Sequence, residues 1–194
     1  MIDRRFVYVM AAAFVIATLC AWRSMSNRSQ DYADQVAAAV VQRPAPGFDA
    51  LDSDNHLVRL GAFLGRHTII VMFFDGEAGA DQDPDLLRLR ERFGELQTRS
   101  VKVVAVSSAI PQMNRAAIAR AGEFPFPLVS DFDPLSPEGL LRIHRHWGRI
   151  NPETGKPRTG VFVVDRKGQL AFTVDGPRPS ANVDAAIDKA ISGS

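Results

Sequence analysis

Cysteine is almost missing from this chain. Of 194 residues one is cysteine, Cys20, and it sits inside an apolar run near the N-terminus. Residues 23–194 therefore carry no thiol, which excludes an internal disulfide, a cysteine-rich metal site and a C-x-x-C redox pair. An excess of charge is missing as well. The formal net charge is +1, and residues 1–25 hold Arg4, Arg5 and Arg23 against Asp3, which is +2, so the remainder carries −1. No basic stripe exists, and nucleic acid is not an expected partner. Neither G-x-G-x-x-G nor G-x-x-x-x-G-K occurs, so no phosphate loop is expected. Internal repeats and low-complexity segments are absent too.

What is present is ordinary for a folded domain: 46% hydrophobic and 23% charged residues, enough chain for one core and an appendage. The appendage is Phe6 to Trp22, seventeen residues without a charge. At helical rise this spans about 25 Å, the short end of what crosses a bilayer core. Tyr8 and Trp22 lie near its ends, where amphipathic rings favour the interface. Arginines flank both sides. A short N-terminal tail with the folded part outside the cytoplasm is the preferred orientation. Two rival readings stand beside the uncleaved anchor. Leu19-Cys20-Ala21 is a poor signal-peptide cleavage site, and Leu19 is a poor residue ahead of a lipidated Cys20.

The expected organisation is an anchor over 1–25, a juxtamembrane helix and linker over 26–43, and a domain over 44–194. Within the domain, Phe48–Leu51 and His56–Leu60 flank four turn formers and read as a hairpin. Thr68 to Phe74 is continuously apolar, which marks a strand buried on both faces. Asp83 is a natural N-cap, Pro84 suits the first helical position, and apolar residues recur at helical period up to Gln97. Strands over Val101–Val106 and Phe126–Val129 and helices over Pro111–Ala121 and Pro137–Trp147 follow. A hairpin over Gly160–Val164 and Gln169–Val174 and a last helix capped by Ser180 close the chain. This order predicts a mixed α/β sheet covered on both faces.

Four stretches carry a resemblance: Ala45-Pro46-Gly47-Phe48, Leu60-Gly61-Ala62-Phe63-Leu64-Gly65, Phe124 to Asp131 (FPFPLVSD) and Pro157 to Asp165 (PRTGVFVVD). In this order they resemble the AhpC/TSA, or peroxiredoxin, family of the thioredoxin fold over about 150 residues. The resemblance implies an active-site loop of the form P-x-x-x-T-x-x-C after the first core strand, with an arginine from the P-R-T stretch. Counting on from Phe74, Asp75 stands for the proline, Gly79 for the threonine and Gln82 for the cysteine, and only Arg158 is retained. A carboxamide cannot act as the peroxide-attacking nucleophile, so the resemblance implies a pseudoenzyme with vestigial positions Asp75, Gly79, Gln82 and Arg158, and no cofactor.

Other constellations have plainer readings. Asp75, Glu77, Asp81, Asp83 and Asp85 place five carboxylates in eleven residues. Asp81-x-Asp83-x-Asp85 resembles the first half of a calcium loop, but Leu86 replaces the required glycine and Arg92 the bidentate glutamate, so no metal is expected. Acids gather at a helix start because the dipole favours them. Arg158 is expected to pair with Asp75, Asp81 or Asp83, the alternative being an anion or ligand pocket. His56, His67, His144 and His146 are expected at the surface or at caps. Ser107 and Ser108 end a strand without a base to form a triad. The expected function is a non-catalytic, membrane-anchored accessory or interaction subunit of a membrane complex, bound to the membrane through its N-terminal helix. The alternatives are an oxidoreductase or redox sensor working with a partner's thiol or cofactor, and a binder of small molecules or anions.

Overall fold

In the computed structural model, which describes residues 43–132, 140–175 and 181–193, the fold is organised around one strand, β3 (Thr68–Phe74), every residue of which is buried. Its side chains point alternately to two faces, and each set founds a separate core. Ile70, Met72 and Phe74 belong to one, Ile69, Val71 and Phe73 to the other. A strand of seven apolar residues can satisfy both faces only in the middle of a covered sheet.

The hairpin β1 (Asp49–Leu51) and β2 (Leu57–Arg59) precedes it. After β3 come α1 (Pro84–Glu91), α2 (Phe93–Thr98), β4 (Val101–Ser107), α3 (Pro111–Ala121), β5 (Leu128–Ser130) and α4 (Arg142–His146). The chain finishes with β6 (Gly160–Val164), β7 (Leu170–Asp175) and α5 (Ala181–Ser192). The five-stranded sheet has the order β5-β4-β3-β6-β7. β4 runs parallel to both β3 and β5, whereas β6 is antiparallel to β3 and β7. Leu86, Leu89, Leu96, Ala117 and Ile187 bring α1, α2, α3 and α5 onto the first core. Phe48, Val58, Leu60, Ile143 and Trp147 cover the second from the hairpin, the turn after it and α4.

The expected mixed sheet is therefore found, with its layers on both faces. Asp83 caps α1 as expected, accepting from the backbone N–H groups of Asp85 and Leu86 at 3.0 Å each. Two helices differ from expectation. The single helix predicted over Pro84–Gln97 breaks at Arg92, whose backbone (φ −90°, ψ 6°) leaves the helical region. Gly94, two residues on, weakens helix continuity by roughly 0.5–1 kcal/mol relative to alanine. The helix predicted from Pro137 is described only over Arg142–His146. Leu141 stands at φ 57°, a left-handed conformation that cannot propagate a right-handed helix. The apolar run Phe6–Trp22, the juxtamembrane segment and Ser180 lie outside the described residues. Among the described residues no helix is long and apolar enough to cross a membrane.

Candidate functional site

The sheet turns from parallel to antiparallel pairing between β3 and β6, and the chain leaves the carboxyl ends of β3 and β4 beside that switch. Open α/β sheets place their ligand crevices at such points. A cleft of about 570 Å³ opens here, lined among others by Asp75, Glu77, Met113, Leu140, Lys156 and Arg158. One wall depends on Gly76. A Cβ at that position would lie 2.4 Å from the Ala109 nitrogen and 2.7 Å from Ser107 Oγ, so only glycine lets the two strand ends meet. Ser107 Oγ is itself occupied, accepting from the Ala109 N–H at 2.8 Å.

The four positions singled out in the sequence do not assemble. Asp75 and Arg158 line the cleft, but Gly79 and Gln82 do not. Gln82 is exposed and donates through Nε2 to Asp81 Oδ2 at 3.3 Å. Gly79 has φ 91°, and a Cβ there would sit 2.8 Å from Asp81 Oδ1. A threonine at position 79 is incompatible with this loop on both counts. The loop is held instead by Arg120 of α3, whose Nε and Nη2 each donate to Asp81 at 2.7 Å. That pairing holds the Asp81 carboxyl well below the usual carboxylate range. Burial, by contrast, pushes the Asp83 carboxyl upward, although two backbone N–H groups oppose the shift.

The expected brace between Arg158 and a loop acid is absent. Arg158 is exposed and forms no ion pair among the described residues. The three acids are engaged elsewhere: Asp81 with Arg120, Asp83 as the cap of α1, and Asp75 in a turn where Oδ1 accepts from the Glu77 N–H at 2.9 Å. Because Arg158 reaches water, no burial cost demands a partner. Its charged neighbour is a cation. Arg149 is pulled down to about 10, first by its burial and then by the charge of Arg158.

Sequence reasoning also missed a buried couple at the back of the cleft. Asp131, which ends the FPFPLVSD stretch, accepts from His144 Nδ1 at 2.7 Å and from the backbone N–H groups of Ile143 and His144 at 3.0 and 2.8 Å. His144 is fully buried against Phe73, ring centroids 5.0 Å apart, and so is not the surface or cap histidine expected. His56 and His146 are exposed, and His67 is half-buried with Nδ1 3.1 Å from the Ser100 carbonyl. The five acids of residues 75–85 form no ligand cluster. Among the described residues, metal-ligand spacing occurs at Asp52, Asp54 and His56. There Asp52 Oδ1 already accepts from two N–H groups of its own turn, at 2.9 and 2.8 Å.

Residues 41–173 match the model of the AhpC/TSA family. The chain belongs to the AhpC/TSA family. Among curated AhpC/TSA relatives, it is 29% identical over 128 residues to alkyl hydroperoxide reductase E of Mycobacterium tuberculosis, covering 66% of this chain and 80% of the relative. The fold is similar to that of peroxiredoxin Q of Xanthomonas campestris, with TM-score 0.62, 20% identity and coverage of 80% and 97% of the two chains. Peroxidoxin BcpB of Mycobacterium tuberculosis gives TM-score 0.62 at 17% identity, over 79% of this chain and 95% of that one. The expected family and its thioredoxin-like architecture are thus both found, and the AhpC/TSA match spans the cleft and its rim.

Proposed function

We propose that this chain is a non-catalytic, peroxiredoxin-like module, held at a membrane by Phe6–Trp22 with its folded domain on the extracytoplasmic side. It serves there as an accessory or interaction subunit of a membrane complex. The observation that carries this reading is the lack of any cysteine in residues 23–194. Peroxide reduction by this family's chemistry needs a thiolate to attack the O–O bond, and no other side chain of the domain supplies one. The position assigned by resemblance to that thiolate holds Gln82, which faces solvent next to Asp81. An intact scaffold with no nucleophile is suited to binding. A tether raises the effective concentration of such a domain near membrane partners.

The test uses the full-length protein purified in detergent. Peroxide consumption is followed with thioredoxin or a small dithiol as reductant. No consumption above buffer is expected, and repeated turnover overturns the reading. Native isolation from membranes then tests the accessory role. A defined co-purifying complex supports it, and a chain recovered alone from salt-washed, soluble extract rejects both the tether and the partner.

A further inference from the structure

Five formally charged residues line the cleft: the buried Asp131, whose carboxylate is taken up by His144 and two backbone N–H groups, and four exposed ones, two of each sign, that do not pair with one another. Asp75 and Glu77 follow β3, while Lys156 and Arg158 lead into β6, and all four line the same space with exposed side chains. No ion pair within 4 Å joins any of them to a described residue. The register explains how opposite charges come near without meeting. Phe73 pairs with Gly160, so the two chains leave neighbouring strand ends. The Arg158 segment then turns aside, its backbone N–H donating to the Arg149 carbonyl at 2.8 Å. The same space is lined by apolar side chains as well, among them Met113 and Leu140, which are 45% and 41% exposed.

We propose that this cleft binds a zwitterion with an apolar body, about the size of a dipeptide. The ammonium is set toward Asp75 and Glu77 and the carboxylate toward Lys156 and Arg158. A guanidinium takes a carboxylate through two parallel hydrogen bonds, which Arg158 can offer at that end. An anion alone would face two uncompensated carboxylates, and a cation alone would face two uncompensated bases. A neutral apolar ligand would leave all four charges partly desolvated without a partner. The zwitterion compensates both ends and covers Met113 and Leu140. The cleft volume of about 570 Å³ falls in the range of small-molecule sites, roughly 300–1,000 Å³. The inference goes beyond the accessory role and is independent of whether peroxide is turned over.

The test is calorimetric titration of the full-length protein, without peroxide, using leucyl-phenylalanine, its N-acetyl form and its C-terminal amide. The free dipeptide is expected to bind saturably, and each capped form to bind about tenfold more weakly or worse, the change expected when one charge-assisted contact is lost. Lys156→Gln with Arg158→Gln should remove the preference for the dipeptide over its amide and keep the preference over the N-acetyl form. Both side chains are exposed, so an unchanged melting temperature certifies the fold of the variant. Absence of saturable binding overturns the proposal. So does equal binding of the N-acetyl form, which would make the site one for carboxylates alone, and so does equal binding of all three peptides.

Discussion

Asp81 and Arg120 are 39 residues apart and form a two-pronged ion pair, with both N–O distances at 2.7 Å. The aspartate side chain is nearly buried, while the arginine reaches it from the exposed side of α3. Together they fix the loop that leads from β3 into α1. Arg120→Ala should therefore lower the melting temperature and increase hydrogen exchange over residues 79–83. The pH dependence has a definite sign. A carboxyl held below its usual range contributes stability that is present above about pH 4 and lost as pH falls. The stability gap between wild type and variant should be constant above that range and narrow in acid. A gap that widens in acid would contradict the pairing.

Asp83 offers the opposite sign. Burial raises its pKa, so ionisation works against the fold, and the group's stabilising share declines as pH rises through the raised value. Asparagine caps a helix about as well as aspartate without that burden. Asp83→Asn should match or exceed wild-type stability at neutral pH and lose the advantage in acid. Asp83→Ala should lie about 1 kcal/mol below Asp83→Asn at any pH, the usual value of a lost cap. Urea unfolding at three pH values distinguishes the two variants.

Restoring the thiol should not restore a reaction centre. Gln82 is exposed, lies outside the cleft, and its neighbour Asp81 is anionic. Arg158 lines a different part of the surface. Gln82→Cys should give a thiol that titrates near or above about 8.5 and consumes no peroxide catalytically. Alkylation rate against pH reads the titration directly. An acidic thiol with turnover would refute the geometry of the loop.

Asp131 gathers three donors from α4, two backbone N–H groups and the His144 ring, all away from water. Removing the acceptor leaves each without a partner, at about 1–3 kcal/mol apiece. Asp131→Ala should thus destabilise by about 3 kcal/mol or more, with Asp131→Asn in between. The midpoint of urea unfolding measures both. Loss under 1 kcal/mol for alanine would mean that α4 is positioned by packing alone.

Much of the fold was legible because it follows from periodicity and caps. The bounds of β3 are those of an uninterrupted apolar run, and α3 ends where Gly122 takes φ 84°. The site was less legible because its contacts are long-range. Nothing near Asp81 announces Arg120, and the family resemblance pointed to the retained arginine, Arg158, as the partner of the loop acids. His144 looked like a surface or capping residue because an isolated histidine with no ligand partner in the sequence carries no sign of a buried carboxylate thirteen positions away. The short helix that forms turns the imidazole inward onto Asp131 and Phe73. The charge arrangement of the cleft was hidden too, since Lys156 lies in a loop with no periodic signal.

The two cores share a single wall, and that wall is β3. Odd and even residues of one seven-residue strand anchor different hydrophobic layers, so neither layer can be dissolved while the other stays whole. Inserting or deleting one residue in Thr68–Phe74 would exchange the two sets and misfit both sides at once. The described domain is thus built to come apart in one step, with Trp147 signalling the loss of one layer at the moment the helices over the other unwind.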